Sequence, residues 1–285
     1  MPDAASYDAS MLRYVLKRLL AGDLQRPEQT AGVGTDINAC RSLYLDLMQG
    51  CLQGRIYEDP SILPSGAMEA FNPTKRDLGR AMPRYAHTMI GNQRLNNLRV
   101  LAEHVVMHDV PGDFIETGVW RGGACIFMRA ILKAYGVTDR KVWVADSFQG
   151  LPPPDAEQYP ADKGLNFHIH KELAVTAEQV KANFAKYNLL DSQVEFLPGW
   201  FKDTLPAAPI ERLALLRLDG DMYESTIVAL DALYHKLSPG GFAIIDDYGD
   251  VPACRAAVTD YRSRKGIQDA ICDIDGTGVF WQKVA

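Results

Sequence analysis

Four aspartates that follow two apolar runs are the residues best suited to chemistry in this chain. They come in two pairs, Asp219 with Asp221 and Asp246 with Asp247. An apolar run that ends in acids is typical of a buried parallel strand that carries carboxylates to the carboxyl edge of a sheet, where open α/β sheets bind ligands. Carboxylates gathered at one edge repel one another unless a cation or shared protons offset their charge. The pattern therefore suggests a divalent metal site.

A glycine-rich turn lies between a predicted strand and a predicted helix upstream of these acids. It runs from Glu116 through Gly118 to Gly122 and Gly123, so the backbone can approach a ligand and the helix start offers free N–H groups. The turn lacks the G-x-G-x-x-G spacing of a dinucleotide site, which weakens the case for NAD. Glu116 could instead engage an ammonium group of an amino-acid-bearing cofactor, or a network around one. The alternative is a tight turn without a ligand.

Asp146 ends the next predicted strand, and Ser147 follows it. An acid at this position in such a fold can accept hydrogen bonds from two ribose hydroxyls, a feature shared by the sites of nucleoside-containing cofactors. An isolated aspartate can equally cap a helix or a turn. The position of Asp146 shortly after the glycine turn favours ribose binding.

Helical and strand patterns alternate from about residue 92 to the end of the chain. We predict helices at 92–108, 124–134, 176–187, 223–237 and 252–265, and strands at 114–116, 142–145, 194–196, 213–218 and 242–245. Such alternation predicts right-handed crossovers and a mostly parallel, doubly wound α/β sheet. The last two runs, 270–274 and 278–281, flank Asp275-Gly276 and predict a carboxyl-terminal antiparallel hairpin.

The first 80 residues differ from the rest in pattern. Two helices are predicted there, at 10–20 and 37–53, with a polar linker between them and a proline-containing irregular stretch after them. We interpret residues 1–80 as an amino-terminal helical extension and residues 81–285 as one α/β domain. No residue of the extension suggests chemistry. It could build the acceptor pocket or a dimer interface.

Composition limits the classes of partner. The chain is 47% hydrophobic and 23% charged, with a formal net charge of −6. This balance is typical of a globular protein and argues against nucleic acid or an anionic membrane as a partner. The five cysteines are scattered without a C-x-x-C pair, which indicates thiols in a reducing compartment rather than a disulfide framework. The sequence shows neither a signal peptide nor a membrane span, so we expect a cytoplasmic protein.

Four motifs in a fixed order resemble the macrocin O-methyltransferase (TylF) family. They are the segments 116–123, 146–152, 218–226 and 246–249, and the upstream residues 88–91 with Arg94 and Leu95 also resemble a family segment that contacts the cofactor. The resemblance runs from about residue 80 to the end. It implies a Rossmann-like class I methyltransferase sheet and an enzyme that uses S-adenosylmethionine and magnesium to methylate sugar hydroxyls on antibiotics such as macrolides and aminocoumarins.

The resemblance, together with the patterns above, assigns roles to particular residues. Those expected to contact S-adenosylmethionine are Thr88, Met89, Ile90, Glu116, Thr117, Gly118, Arg121, Gly122, Asp146, Ser147, Gly199, Trp200 and Asp219. Trp200 and its neighbour Phe201 could stack near the adenine or form a pocket wall, and both could equally be core residues.

Three aspartates are expected to hold the magnesium ion: Asp219, Asp246 and Asp247. Carboxylate ligands without nearby Cys or His favour a hard cation over zinc. Asp221 is the predicted general base, because it follows Asp219 on a loop that can face the acceptor. Asp250 and His168 are the other candidates for the base. Asp221 could alternatively cap the helix that starts near Tyr223.

Residues 148–173 form a long proline-containing stretch without a regular pattern. A stretch of this length inside an α/β domain is usually a lid or a binding loop. Thr176 and Gln179 then form a capping box, which predicts the start of the next helix.

The preferred function is methyl transfer to a hydroxyl of a sugar on a glycosylated small molecule. A catechol-like diol is the rival acceptor, since a metal can also chelate a catechol. A nicotinamide-dependent oxidoreductase and a non-catalytic interaction module represent other classes of function. We expect a homo-oligomer, a dimer, with neither a nucleic acid nor a membrane as partner.

Overall fold

The computed structural model describes residues 36–284. The helices are α1 (Ile37–Leu52), α2 (Pro73–Asp77), α3 (Asn92–Met107), α4 (Gly123–Ala134), α5 (Ala177–Lys186), α6 (Phe201–Thr204), α7 (Tyr223–Leu233) and α8 (Pro252–Lys265). The strands are β1 (Ser61–Ile62), β2 (Met68–Glu69), β3 (Asp113–Thr117), β4 (Val142–Asp146), β5 (Val194–Pro198), β6 (Leu213–Leu218), β7 (Leu237–Ile245), β8 (Cys272–Asp273) and β9 (Val279–Gln282). The predicted helix at 10–20 lies outside the described residues.

One seven-stranded sheet forms the centre of the molecule, in the order β5-β4-β3-β6-β7-β9-β8. Strands β3 to β7 pair in parallel, while β9 pairs antiparallel with both β7 and β8. All residues of β6 are buried, as expected for a central strand covered on both faces. The predicted doubly wound sheet with a carboxyl-terminal antiparallel hairpin is confirmed.

Alternate residues of the strands face two separate hydrophobic layers. Phe114 and Ile244 pack into the layer that includes α3 and α4, whereas Ile115 and Ile245 pack into the layer that includes α7 and α8. This alternation follows from the two-residue period of a strand. The chain reverses its direction of winding between β3 and β6, and ligands bind at such a reversal in open α/β sheets.

The amino-terminal part of the described chain packs onto the sheet domain. Leu45, Met48 and Leu52 of α1 are buried in the same hydrophobic layer as α4. The stretch after α1, which the sequence indicates as irregular, contains the hairpin β1-β2 and the short helix α2. The division of the chain near residue 80 stays a prediction.

The predicted elements agree with the structure except at some ends. The helix predicted at 223–237 ends as an α-helix at Leu233 and continues as a 3₁₀ turn, Tyr234–Lys236. It cannot extend further because Leu237 already pairs with Leu213 of β6. No helix among residues 36–284 is long and apolar enough to cross a membrane.

Candidate active site

A cavity of about 940 Å³ opens at the carboxyl edge of the sheet. The loops that follow β3, β4, β6 and β7 form its floor. Residues from the 148–173 segment and from residues 61–82, called the region around β1 below, form its walls. Its position coincides with the winding reversal between β3 and β6. This is the expected location of a ligand site in the fold.

The glycine turn after β3 touches the backbone that follows β6. Gly118 has φ +84°, and a Cβ atom at this position would lie 1.8 Å from the carbonyl oxygen of Asp219. The amide of Asp219 donates to the carbonyl of Thr117 at 2.9 Å. Only glycine fits both the left-handed conformation and this close approach. The turn therefore brings the two loops together at one point of the cavity floor.

Asp146 at the end of β4 is held by backbone amides. Its Oδ2 accepts from the amide of Val119 at 2.8 Å, and its Oδ1 accepts from the amide of Phe148 at 2.7 Å. Burial raises the pKa of this carboxyl, although these amide bonds act in the opposite direction. Oδ1 also accepts a longer hydrogen bond from the Ser147 hydroxyl at 3.4 Å, whereas Oδ2 keeps a second lone pair that can accept a hydroxyl group from the cavity.

Two bulky residues beside Asp146 have unusual backbone conformations. Trp120 has φ 47° and Phe148 has φ 56°. A left-handed conformation costs energy for a residue with a large side chain, and such strain is concentrated at functional sites. The loops on both sides of Asp146 are thus held in shapes that the surrounding contacts impose.

Glu116 and Arg217 form a buried ion pair in the cavity floor. Both are almost fully buried, and the guanidinium Nη1 donates to Oε1 of Glu116 and to Oδ2 of Asp219, the latter at 2.7 Å. The thiol of Cys125 donates to the other oxygen of Glu116 at 2.9 Å. Burial raises the pKa of Glu116 to about 7, although Arg217 acts in the opposite direction. The network that Glu116 joins is therefore internal, and its contact with a cofactor stays a prediction.

Asp246 connects Arg217 to a second arginine. Arg217 donates to its Oδ1, and Arg94 of α3 donates to its Oδ2. The Nε of Arg94 also lies 3.1 Å from a carboxylate oxygen of Asp275 in the turn before β9. The sequence pattern contains a signal for Arg217, a charged residue inside an apolar run, but it does not indicate its partners.

The three predicted metal ligands meet in the cavity floor. Asp219, Asp246 and Asp247 each offer one carboxylate oxygen, and these oxygens lie within 4.8 Å of one another. Burial and the neighbouring acids raise the pKa of Asp219 to about 6 and hold that of Asp247 well above its usual range. An all-oxygen, anionic donor set of this kind fits a hard divalent cation, whose charge would offset the repulsion. The metal role of these residues stays a prediction.

Asp221 faces the cavity from the turn between Asp219 and α7. It has φ 58°, and its amide donates to Oδ2 of Asp247 at 3.1 Å. Burial, followed by the charges of Asp219 and Asp246, raises its pKa to about 7. The alternative that Asp221 caps α7 is wrong, because Asp162 accepts the first amides of this helix instead.

The two other candidates for the base differ in position. Asp250 is exposed and lines the cavity, and Thr277 Oγ1 donates to it at 3.0 Å. His168 is exposed and does not belong to the cavity wall. Asp221 is the candidate that lies beside the acidic cluster.

Most of the residues expected to contact the cofactor line the cavity. The structure brings these together: Thr88, Met89, Ile90, Glu116, Gly118, Asp146, Ser147, Trp200 and Asp219. It leaves these outside the wall: Thr117, Arg121, Gly122 and Gly199. Arg121 donates instead to the carbonyls of Pro83 and Ala86, at 3.1 and 2.9 Å. Cofactor contact stays a prediction for both groups.

The region around β1 contributes residues that the sequence pattern does not indicate. Ile62, Lys75, Arg80 and Met82 all line the cavity. They carry no spacing or motif that could have identified them, because only the packing of this region onto the sheet domain brings them to the cavity.

The 148–173 segment covers one side of the cavity. It contains three single turns of 3₁₀ helix, Pro160–Asp162, Phe167–Ile169 and Lys171–Leu173. Its role as a lid stays a prediction. The capping box of Thr176 and Gln179 is confirmed at the start of α5.

Comparison with known proteins identifies relatives over most of the chain. The chain is 56% identical over 246 residues to the 8-demethyl-8-(2,3-dimethoxy-alpha-L-rhamnosyl)-tetracenomycin-C 4'-O-methyltransferase of Streptomyces olivaceus, covering 86% of this chain and 94% of that protein. It is 53% identical over 247 residues to the mycinamicin III 3''-O-methyltransferase of Micromonospora griseorubida, covering 85% and 97%.

A solved structure and a family model agree with these relatives. The structure of the O-methyltransferase NovP matches with a TM-score of 0.82 at 52% identity, covering 86% of this chain and 100% of that chain. The model of the macrocin-O-methyltransferase (TylF) family matches residues 61–283. This chain is therefore an O-methyltransferase and belongs to the macrocin O-methyltransferase family.

Proposed function

We propose that this protein transfers a methyl group from S-adenosylmethionine to a sugar hydroxyl of a glycosylated natural product, with magnesium as the assisting ion. The observation that carries the proposal is the arrangement of Asp146 and the cluster of Asp219, Asp246 and Asp247 around one cavity. The tetracenomycin relative supports a sugar as the acceptor, because its name places a rhamnosyl group on its substrate.

The Asp146 side of the cavity fits the nucleoside part of the cofactor. Asp146 would accept the ribose hydroxyls with the lone pairs that its backbone amides leave free. Gly118 allows the backbone to approach the ligand, and Trp200 lies in the wall where an adenine could stack. S-adenosylmethionine supplies, when bound, an electrophilic methyl group on a sulfonium ion.

The acidic side of the cavity fits a cation and an acceptor with hydroxyl groups. Asp219, Asp246 and Asp247 would hold magnesium through carboxylate oxygens. A bound magnesium ion orients vicinal hydroxyls and lowers the pKa of the one that reacts. Asp221 would accept the proton of that hydroxyl as the methyl group is transferred.

The charge of the cavity supports the same assignment. The wall carries many carboxylates, and two arginines, Arg94 and Arg217, are engaged in ion pairs with them. A sulfonium ion and a divalent cation are both positively charged, so an acidic cavity attracts both of them. Holding the acceptor in line with the methyl group then lowers the barrier by positioning.

The experiment that tests the function offers the purified protein S-adenosylmethionine, magnesium and a set of acceptors. The set contains rhamnosylated polyketides, the matching aglycones and a catechol. We expect S-adenosylhomocysteine as one product and a methyl ether on a sugar hydroxyl as the other, located by NMR. Methylation of the catechol with no reaction of the glycosides would contradict the sugar assignment. Calorimetry should show binding of S-adenosylhomocysteine but not of NAD.

A further inference from the structure

Helix α7 begins directly after the turn that carries Asp221, and its own amino-terminal residue provides no cap. Met222 occupies the N-cap position and makes no side-chain hydrogen bond to the first turn. The amide of Tyr223 donates to Oδ1 of Asp162 at 2.6 Å, and the amide of Glu224 donates to Oδ2 at 3.0 Å. A residue distant in the sequence therefore performs the capping that helices usually obtain locally.

The side chain of Asp162 is fully buried beside the first turn of α7. The residue ends the 3₁₀ turn Pro160–Asp162 of the 148–173 segment. This turn packs against both α7 and α8, and the ring of Tyr159 lies 6.0 Å from the ring of Tyr223. A buried carboxylate is costly without partners, whereas helix amides with their dipole stabilise it.

The segment is attached to the domain near its two ends and, in its middle, by Tyr159, Leu165 and Phe167, which pack against the hydrophobic layer of α7 and α8. A Cβ atom on Gly150 would lie 3.4 Å from the Cβ of Ala174, so the two ends of the segment meet. The indole of Trp120 donates to the carbonyl of Glu172 at 2.9 Å. Asp162 lies near the middle of the segment, distant in the sequence from both ends. Its carboxylate bonds the middle of the segment to the first turn of α7.

The turn on the other side of the cap, Gly220 to Met222, has an unusual backbone conformation. Asp221 has φ 58°, and the amide of Met222 donates to the carbonyl of Gly220 at 2.6 Å. The amide of Asp221 donates to Asp247. A non-glycine residue keeps a left-handed conformation only when its surroundings impose it. The position of the first turn of α7 is one of those constraints.

We propose that Asp162 is a positioning residue for Asp221, which acts by capping α7 and so couples the 148–173 segment to the turn that faces the acceptor. The carboxylate fixes the first turn of α7, and that turn fixes the backbone from which the side chain of Asp221 enters the cavity. The inference rests on the proposed role of Asp221 in methyl transfer. Asp162 itself does not line the cavity, so it acts through Asp221 and not on the acceptor.

The test uses the substitution Asp162→Ala in the full chain, with Glu157→Ala as a matched control on the exposed surface of the same segment. We expect kcat to fall by about tenfold to 100-fold, as for a small displacement of a reacting group. The KM for the glycoside should change much less than kcat. Calorimetry should show nearly unchanged affinity for S-adenosylhomocysteine, and Glu157→Ala should behave as wild type.

Amide hydrogen exchange of the ligand-free protein provides the second measurement. Exchange should accelerate in Asp162→Ala both at residues 156–170 and at residues 219–224, because the cap connects the two. Faster exchange at 156–170 alone, or an unchanged kcat, would overturn the inference. If Asp162→Ala does not fold, Asp162→Asn decides, since it keeps one acceptor oxygen and should give the same two effects in weaker form.

The two measurements separate this inference from the proposed function. If the wild-type protein methylates no glycoside, the proposed function fails. The exchange at residues 219–224 in Asp162→Ala then still decides whether Asp162 holds the turn.

Discussion

The two sides of the cavity hold their carboxylates in different ways. Asp146 is bound by the amides of Val119 and Phe148, which belong to the protein itself. Asp219 and Asp247 lie against other acids, and their pKa values are raised by burial and by that repulsion. Arg217 forms an ion pair with Asp219 but not with Asp247.

This difference indicates which side is complete without a ligand. Backbone amides at fixed distances make the Asp146 side ready to bind, because no charge has to be brought in. The acidic side carries excess negative charge that a cation would offset. We infer that the Asp146 side is formed by folding, whereas a cation would complete the side that contains Asp219 and Asp247.

Removal of divalent cations should produce the largest difference between the two sides of the cavity: a large effect on methyl transfer and a small one on cofactor affinity. We expect a chelator to reduce methyl transfer to background, because the acceptor loses its orientation and its lowered pKa. Added magnesium should restore turnover. The affinity for S-adenosylhomocysteine, measured by calorimetry in the chelator, should fall far less than turnover, since the amides that hold Asp146 need no cation and Asp219 is the one residue expected to serve both sides. Full turnover in the chelator would contradict the metal role of the cluster.

The substitution Asp221→Asn should produce the next largest effect. It keeps the size of the side chain and removes the proton acceptor, so we expect kcat to fall by about 10² to 10⁴. Cofactor affinity should not change. Asp250→Asn is the matched control, because Asp250 also lines the cavity. A larger loss of kcat in Asp250→Asn than in Asp221→Asn would identify Asp250 as the base.

The substitution Asp146→Asn should weaken cofactor binding and leave the magnesium requirement unchanged, the reverse of what we expect for removal of the cation. An amide accepts the ribose hydroxyls less strongly than a carboxylate, so we expect the Kd for S-adenosylhomocysteine to rise by about 10-fold to 100-fold. The magnesium concentration that gives half-maximal turnover should stay the same at saturating cofactor. An unchanged Kd would mean that Asp146 only shapes the loop through Val119 and Phe148.

The smallest expected effect is on the free energy of unfolding, through a histidine of the cavity wall. His87 lines the cavity, and burial, followed by the charges of Lys186 and Arg121, lowers its pKa to about 4 from 6.5. The folded state then binds fewer protons than the unfolded state between these values, so stability is full above about pH 6.5 and is lost as the pH falls toward 4. At pH 5 the loss should be about 2 kcal/mol.

Denaturant unfolding of His87→Asn at pH 7 and pH 5 measures this contribution. The variant should lose less stability than wild type between the two pH values. His168→Asn, which changes an exposed histidine, should follow the wild type. Equal losses in His87→Asn and wild type would show that His87 does not contribute.

The sequence predicts the elements and the meeting of the acids for one physical reason. Apolar runs such as the one before Asp219 encode buried strands, and the ends of parallel strands reach one edge of the sheet. The order of the strands is not encoded in any single run. The pairing of Glu116 with Arg217 depends on β3 lying beside β6, which only the folded sheet establishes.

The cap of α7 shows the same limit. Asp162 and Tyr223 are too far apart in the sequence for a local pattern to connect them, and the sequence alone offers Asp221 as the nearer cap. Likewise, Ile62 and Lys75 reach the cavity only because the region around β1 packs against the domain. Contacts of this kind arise from tertiary packing, which overrides local signals.

The buried guanidinium of Arg217 has a consequence for how the molecule folds. It belongs to β6, while its partners Glu116 and Asp246 belong to β3 and to the end of β7. A partly assembled sheet that lacks either neighbouring strand would leave the guanidinium with fewer carboxylate partners, and an incompletely paired buried charge is destabilising. The three central strands and the cavity floor are therefore coupled in stability, because the same guanidinium is bound by carboxylates from all three.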